Sequence, residues 1–276
     1  MKTKFFPVPL IAVISGVAWR VAFAICLLFA LRATAQDASK PLLIAAAADL
    51  KFALDEVLVE FRKAHPEHEA KPTYGSSGTL FAQIDNGGPF DLFLSADVRF
   101  PKQLIEHGRA EKDTLFSYAI GHLVIWVPAN SKLDLNQLKE KALLDPSVRK
   151  VAIANPNVAP YGAAAVAALK SLGLYESVNP KLVQGENVAQ AAQFVQSGAA
   201  DAGVISLSLA LSPKMKEAGR FWEVPPESFP TLEQAGVVRA NTANRAGALL
   251  LRDFLMAQAG RDILQRYGFA LPPGGK

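Results

Sequence analysis

Three loops in this sequence combine helix-start backbone N–H groups with small residues, a combination suited to binding an anion. Each follows a predicted strand and precedes a helical pattern: Ala48-Asp49-Leu50, GSSGT over 75–79 and APYG over 159–162. A weaker fourth case is GENV over 185–188. The first N–H groups of a helix lack carbonyl partners, and the helix dipole there favours negative charge. Ordinary capping explains any one loop, but their recurrence predicts an anion site at the carboxyl ends of strands.

The residues that commonly carry catalysis form no recognisable group in this sequence. It contains neither a G-x-S-x-G nucleophile elbow nor a Walker phosphate loop. Its four histidines are His65, His68, His107 and His122. His65 and His68 have helical metal-ligand spacing, but Pro66 follows His65, so we interpret the pair as a solvated helix end. We therefore predict no enzymatic activity and no metal ligands, with a secreted hydrolase of scattered Ser, His and Asp residues as the remote alternative.

Strand and helix patterns alternate along the chain, which predicts an α/β fold with mainly parallel sheets. The predicted strands cover 42–48, 71–74, 91–94, 123–127, 151–154 and 203–205. The predicted helices cover 50–64, 79–84, 101–107, 162–172, 188–195, 246–255 and 262–267. Asp49 is the expected N-cap of the first helix, with its carboxylate accepting first-turn N–H groups. A second α/β unit begins near Gly121.

The first 35 residues have the pattern of a secretory signal peptide. Lys2 and Lys4 form a positive start, an apolar stretch follows, and the tripeptide ATA at 33–35 is a small-x-small cleavage signal. Arg20 keeps each apolar part below the roughly 18 residues of a spanning helix. We predict cleavage after Ala35 and a periplasmic or secreted protein; an uncleaved N-terminal anchor is the alternative.

Composition and charge narrow the classes of partner. The chain has 276 residues, 50% of them hydrophobic and 20% charged, which is ordinary for a globular protein. The formal charge of +4 comes entirely from basic residues before residue 36, so residues 36–276 are formally neutral. With no basic excess, we predict no nucleic-acid binding. The single cysteine, Cys26, lies in the predicted leader, which excludes disulfides and thiolate metal sites from the mature chain.

Six segments resemble the periplasmic molybdate-binding proteins of ABC importers. They occur in the family's order within residues 41–271, and the second, third and last are the most specific. The segments are AAAADL (45–50), YGSSGTL (74–80), PFDLFLSAD (89–97), VAPYG (158–162), ENV (186–188) and RYGF (266–269).

The resemblance implies a two-lobed periplasmic binding protein fold of type II, in which helices flank a mainly parallel sheet in each lobe. Lobe 1 would comprise residues 39–120 and 223–276, and lobe 2 residues 121–222. The expected ligand is molybdate or tungstate, held in the cleft between the lobes for the membrane permease of an ABC importer. We expect a monomer that carries no cofactor and does not coordinate molybdenum directly.

The resemblance also implies five binding residues: Asp49, Ser77, Tyr161, Val188 and Ser206. In the family, neutral backbone N–H groups and a few hydroxyls hold the oxyanion. The usual pattern has serine at the first position and tyrosine at the last, so Asp49 and Ser206 depart from it. These departures keep open another small anion in the same fold, such as sulfate, phosphate or a carboxylate.

Two of these residues carry specific expectations. A carboxylate close to a bound dianion is repulsive, so Asp49 should turn away from the ligand or weaken its binding. Ser77 is expected to donate a hydrogen bond to the anion and to contribute little to folding stability, because a hydroxyl facing the cleft supports no core.

Overall fold

The computed structural model describes residue 3 and residues 40–272. The predicted signal peptide over 1–35, its cleavage site and Cys26 thus lie outside the described residues, apart from Thr3. Within the described part of the chain, no helix combines the length and apolar character needed to cross a membrane.

Ten strands form two sheets of five. In chain order they are β1 (Leu42–Ala47), β2 (Ala70–Gly75), β3 (Leu92–Ser95), β4 (Phe116–Gly121), β5 (Leu123–Pro128), β6 (Val151–Ala154), β7 (Leu182–Gly185), β8 (Ala202–Ser206), β9 (Gly219–Glu223) and β10 (Leu232–Val238). The first sheet has the order β2-β1-β3-β10-β4 and the second the order β7-β6-β8-β5-β9. In each sheet, one strand runs against the other four: β10 in the first and β5 in the second. The predicted α/β fold with mainly parallel sheets is confirmed.

The helices flank these sheets. In chain order they are α1 (Lys51–Ala64), α2 (Ser77–Asp85), α3 (Arg99–Glu106), α4 (Leu135–Leu138), α5 (Pro160–Ser171), α6 (Tyr175–Val178), α7 (Val188–Gln196), α8 (Leu207–Ala210), α9 (Pro213–Ala218), α10 (Arg245–Met256) and α11 (Gln258–Arg266). Short 3-10 turns connect several of them, including Ala48–Leu50 directly before α1.

Strand β1 is apolar along its length because helices cover both of its faces. Ile44 and Ala46 belong to the same buried cluster as Leu54 of α1. Ala45, whose side chain points to the opposite face, belongs to a cluster with Leu80 of α2. The end of β1 is thereby held rigidly between two helix layers.

The chain passes between the two sheets twice. It leaves the first sheet at the end of β4 and enters β5 two residues later, and it returns between β9 and β10. Helices α10 and α11 pack on the first sheet, and Ala270 pairs with Ile120 of β4. The lobe boundaries between residues 120 and 121 and between residues 222 and 223 stay a prediction.

Every predicted strand is present, with its ends within one residue of the prediction. Four strands were missed: β4, β7, β9 and β10. The predicted N-cap role of Asp49 is wrong. Asp49 lies inside the 3-10 turn that precedes α1, and no side chain caps either that turn or α1. Its carboxylate instead accepts a hydrogen bond from the side-chain amide of Gln234 on β10.

Candidate functional site

A cavity lies where the carboxyl ends of strands from both sheets meet. Its free space is about 190 Å³, part of which is open to solvent, so it suits a small ion better than a drug-sized ligand. The first sheet and its loops contribute Ala47, Ala48, Asp49, Gly75, Ser76, Ser77 and Ala96 to the lining. The second contributes Ala159, Pro160, Tyr161, Asn187 and Val188.

Four of the five residues predicted for binding line this cavity: Asp49, Ser77, Tyr161 and Val188. The fifth, Ser206, is not part of the lining. Its Oγ accepts a hydrogen bond from the amide of Leu209 at 3.4 Å and lies 3.0 Å from Oγ of Ser208. The Ser208 hydroxyl in turn donates to the carbonyl of Asp49 at 2.8 Å. The side chain of Ser206 is therefore linked to the cavity residue Asp49 through Ser208.

Ser77 is a structural acceptor as well as a cavity residue. Its buried Oγ accepts a hydrogen bond from the amide of Ala96 at 3.0 Å. Capping of α2 falls to the neighbouring Ser76, whose Oγ accepts from the amide of Thr79 at 3.3 Å. The hydroxyl proton of Ser77 is thus left available to a ligand, but removing the hydroxyl also leaves a buried amide without its acceptor.

Val188 presents backbone rather than side-chain chemistry. It is the first residue of α7, and Asn187 caps that helix by accepting from the amides of Ala189 and Gln190 at 3.0 and 3.1 Å. The Val188 amide comes before both and has no carbonyl partner within the helix. This places a free donor and the positive end of the α7 dipole at the cavity.

Tyr161 reaches the first sheet across the cavity. It lies in the first turn of α5, after Pro160, and its Oη is 3.2 Å from Nε2 of Gln234 on β10. Gly121, the last residue of β4, makes room for this approach. A Cβ added to Gly121 would lie 2.1 Å from Oη of Tyr161, so the tyrosine could not occupy this position beside a larger residue.

Asp49, Tyr118, Tyr161 and Gln234 form a buried polar cluster beside the cavity. Asp49 and Tyr161 also line the cavity, whereas Tyr118 and Gln234 do not. All four residues are at most 2% exposed. The Gln234 Nε2 donates to Oδ2 of Asp49 at 2.6 Å, and its Oε1 accepts from the Tyr118 hydroxyl at 3.0 Å. Oδ1 of Asp49 has no hydrogen-bond partner among residues 40–272.

Burial controls the protonation of this cluster. It raises the pKa of the Asp49 carboxyl from 3.8 to about 6. The nearby Gln234 amide, the Tyr161 hydroxyl and the amides of Asp49 and Leu50 offset part of the increase, because they favour the charged form. Burial and the charge of Asp49 raise the pKa of both Tyr118 and Tyr161 well above the ordinary value. The phenols are therefore neutral at physiological pH, whereas the carboxyl titrates close to it.

The two sheets are in direct contact around the cavity. The amide of Gly78, in α2, donates to the carbonyl of Val158, which precedes α5, at 2.9 Å. A Cβ at Gly78 would lie 2.6 Å from that oxygen. Ala47, Ala48 and Ala96 from the first sheet belong to the same apolar cluster as the core of the second. The described structure is thus a closed arrangement around the cavity.

Sequence reasoning missed Gln234, Tyr118 and Ser208, which support the cavity from behind. Tyr118 and Gln234 come from strands that were not predicted, and Ser208 from a one-turn helix. The only local signal is Gln234 itself, a polar residue inside the strand LEQAGVV. Among the residues that the structure describes, no cluster of three or more His, Cys, Asp or Glu side chains could hold a metal ion.

Known proteins resemble this chain along most of its length. A family model described as bacterial extracellular solute-binding protein matches residues 42–270. The molybdate-binding protein ModA of Rhodobacter capsulatus is 37% identical over 202 residues, which are 73% of this chain and 77% of that protein.

Solved structures share the fold. The periplasmic molybdate-binding protein of Azotobacter vinelandii superposes with a TM-score of 0.78 at 33% identity, covering 84% of this chain and 99% of that one. The sulfate-binding protein SubI of Mycobacterium tuberculosis gives 0.69 at 16% identity, covering 85% and 88%; that likeness concerns the fold alone. The predicted two-lobed periplasmic binding protein fold is confirmed.

Proposed function

The chain belongs to the bacterial extracellular solute-binding proteins and, within them, to the molybdate-binding family, and on that premise we propose that it captures molybdate for an ABC import permease. It would bind the oxyanion reversibly in the cavity between the two sheets and perform no catalysis. Tungstate, which has the same shape and charge, would bind at the same place. The protein would act in the periplasm as a monomer after cleavage of its leader, and would carry no cofactor.

One observation carries this proposal: neutral donors from both sheets converge on one small cavity. The lining contains no lysine, arginine or histidine within the described residues. What it offers an anion is the hydroxyl of Ser77, the amide of Val188 and the starts of α2, α5 and α7. A helix start is an established kind of anion site, and three helix starts meet here, that of α7 with the amide of Val188 ahead of the two amides that Asn187 caps.

Hydrogen bonds must offset the cost of burying a doubly charged anion, which is many kcal/mol without partners. A hydrogen bond to a charged group contributes roughly 1.5–3 kcal/mol, so several convergent donors are required. We propose that Asp49, Ser77, Tyr161 and Val188 surround the anion directly. Ser206 would act one step behind them, by orienting Ser208 against the carbonyl of Asp49.

Selectivity would come from size. Uncharged donors at fixed positions cannot distinguish one tetrahedral dianion from another by charge, so the fit between the anion's oxygens and the donors decides. We propose that the cavity matches the larger oxyanions, molybdate and tungstate. The smaller sulfate ion would be unable to contact all of the donors at hydrogen-bond distance.

Closure would couple binding to transport. Lobe 1, residues 39–120 and 223–276, would close on lobe 2, residues 121–222, by bending where the chain crosses between the sheets. The bound anion would stabilise the closed form, as in hinge closure generally. The contact between Gly78 and Val158 would then form only when the lobes are together, and the closed surface would be the one that a permease recognises.

A second candidate is a small anion that carries its own proton, such as hydrogen phosphate. The observation in its favour is the buried carboxyl of Asp49, which in its charged form could accept a hydrogen bond from such a ligand. A fully deprotonated anion would instead repel that charge.

Thermal unfolding in the presence of different anions tests the proposal. The melting temperature should rise with molybdate and with tungstate, because a ligand at about 100 times its Kd adds roughly 2.7 kcal/mol to stability. Sulfate and phosphate at equal concentration should give much smaller shifts. A larger shift with phosphate would favour the second candidate, and equal shifts with sulfate would contradict selection by size.

A further inference from the structure

Among the described residues that line this cavity, Asp49 is a buried carboxyl with one oxygen that makes no hydrogen bond. The residue is 1% exposed and lines the cavity. Oδ2 is occupied by the amide of Gln234 at 2.6 Å, whereas Oδ1 accepts no hydrogen bond from any described residue. A buried carboxylate oxygen without a well-formed hydrogen bond is costly, and the nearby Tyr161 hydroxyl and the amides of Asp49 and Leu50 offset only part of that cost.

Among the described residues, no positive charge compensates the carboxyl from the elements packed around it. The titratable groups that face it are the phenols of Tyr118 on β4 and Tyr161 on α5, and both are neutral. The residues that α2 and α7 contribute to the lining are uncharged. Asp97, which follows the cavity residue Ala96, lines another pocket and forms an ion pair there with Arg99.

We infer that Asp49 is protonated when the anion is bound and donates a hydrogen bond to it through Oδ1, so that capture of the anion takes up one proton. The inference rests on the proposed function and names the role of the residue that departs from the family pattern. The proton comes from solvent and forms an O–H bond at Oδ1, while Oδ2 keeps its hydrogen bond from Gln234. Protonation would thereby convert the Asp49 carboxyl from a group that repels the anion into a hydrogen-bond donor. The serine that is usual at this position in the family would also be a donor.

The neutral form of the Asp49 carboxyl is compatible with both the Gln234 amide and a bound anion. Oδ2 needs only an acceptor lone pair for Gln234, which a carboxylic acid retains in its carbonyl oxygen. Oδ1 then has a proton to direct at the anion. The raised pKa of Asp49 in the ligand-free protein agrees with this geometry, and the nearby negative charge of a bound dianion would raise the pKa further.

Calorimetric titration of the purified protein with sodium molybdate between about pH 6 and 8 tests the inference. Above the pKa of free Asp49, uptake of one proton weakens binding by roughly tenfold for each pH unit. Titrations at pH 7.5 in buffers of different ionisation enthalpy should report uptake close to one proton per anion. The same Kd at pH 6 and 8, with no proton uptake, would overturn the inference but not the proposed function.

Three variants test whether the proton taken up on binding resides on the carboxyl of Asp49. Asp49→Asn keeps the size and supplies an N–H donor that cannot titrate, so it should bind molybdate with one affinity across the range and take up no proton. Asp49→Ser should behave in the same way, and provides the test if the amide disturbs folding. Asp97→Asn, which removes the carboxylate that pairs with Arg99, is the matched control and should keep the pH dependence of the parent.

The outcomes separate the two proposals. Proton uptake that persists in both Asp49 variants would place the proton on the anion and overturn the inference. No molybdate binding by the parent at any pH would overturn the proposed function, and this inference with it.

Discussion

Nε2 of Gln234 lies 2.6 Å from Oδ2 of Asp49, although 185 residues separate the two along the chain. The same nitrogen is 3.2 Å from Oη of Tyr161, which the second sheet contributes. One buried amide thus joins the first loop of the described chain, a late strand and a helix of the other sheet. The amide is therefore a direct contact between the two sheets beside the cavity.

Replacing Gln234 with leucine should destabilise the protein by about 1–3 kcal/mol, because the buried Oδ2 of Asp49 loses its donor. The Tyr118 hydroxyl, in contrast, keeps the carbonyl of Ser95 as an acceptor. Urea unfolding measures this as a lower transition midpoint. Gln137→Leu is the control, since Gln137 is exposed, and it should change the midpoint little. Equal midpoints for the parent and Gln234→Leu would show that the cluster contributes nothing to stability.

Ser77→Ala should weaken molybdate binding by about 1.5–3 kcal/mol, the range for a hydrogen bond to a charged partner. The structure corrects the expectation that folding would be unaffected. The buried amide of Ala96 donates to Ser77 Oγ, so the variant should also lose about 1–3 kcal/mol of stability. Calorimetry and urea unfolding check the two effects separately. Ser197→Ala removes an exposed hydroxyl and should alter neither; unchanged binding in Ser77→Ala would refute the contact with the anion.

The stability of the ligand-free protein should fall as pH rises from about 4 to 6. Folding raises the pKa of Asp49 from 3.8 to about 6, so the folded state holds this proton more tightly than the unfolded state. The stabilisation is complete below pH 3.8 and is lost as pH increases through the folded-state value. Its size is about 3 kcal/mol, from 1.36 kcal/mol for each pKa unit.

Asp49→Asn has no proton to lose at this position and should lack that component of the pH profile. Urea unfolding of both proteins at pH 4, 5, 6 and 7 gives the comparison. The free-energy difference between the variant and the parent should grow by about 2.4 kcal/mol in favour of the variant across this range. Parallel profiles would mean that Asp49 titrates at its ordinary value.

Gly78→Ala should weaken molybdate binding at least tenfold while leaving each sheet folded. The added Cβ would lie 2.6 Å from the carbonyl oxygen of Val158, so the close approach of α2 to the second sheet would be blocked. Calorimetry measures the affinity, and small-angle X-ray scattering should show a more open ligand-bound form. Gly247→Ala is the control, because its Cβ would meet only the His68 ring at 3.3 Å. Unaltered affinity in Gly78→Ala would contradict closure through this contact.

Local patterns predicted the parts of the fold that bury ordinary apolar faces. Strand β1 and helix α1 carry continuous or periodic apolar residues, and both were predicted correctly. Strand β10 was missed because Glu233 and Gln234 interrupt its apolar run. Glu233 accepts a hydrogen bond from Ser117 of β4, and Gln234 belongs to the buried cluster. These polar residues are explained by tertiary partners that a local pattern does not contain.

The cavity loops were recognisable because each combines a strand end, small residues and a helix start. The error over Asp49 shows the limit of that reasoning. N-cap propensity is a local preference, and the long-range hydrogen bond from Gln234, together with the 3-10 turn at Ala48–Leu50, prevails over it. Ser206 does not line the cavity for a related reason. Its hydroxyl accepts a hydrogen bond from the amide of Leu209 in the first turn of α8.

The most direct test is calorimetric titration of the purified protein with molybdate and, separately, with sulfate at pH 7. We expect one molybdate per chain, bound at least about 100-fold more tightly than sulfate, a difference of roughly 2.7 kcal/mol. Sulfate binding as tight as that of molybdate, or no heat of binding with molybdate, would contradict selective capture of molybdate.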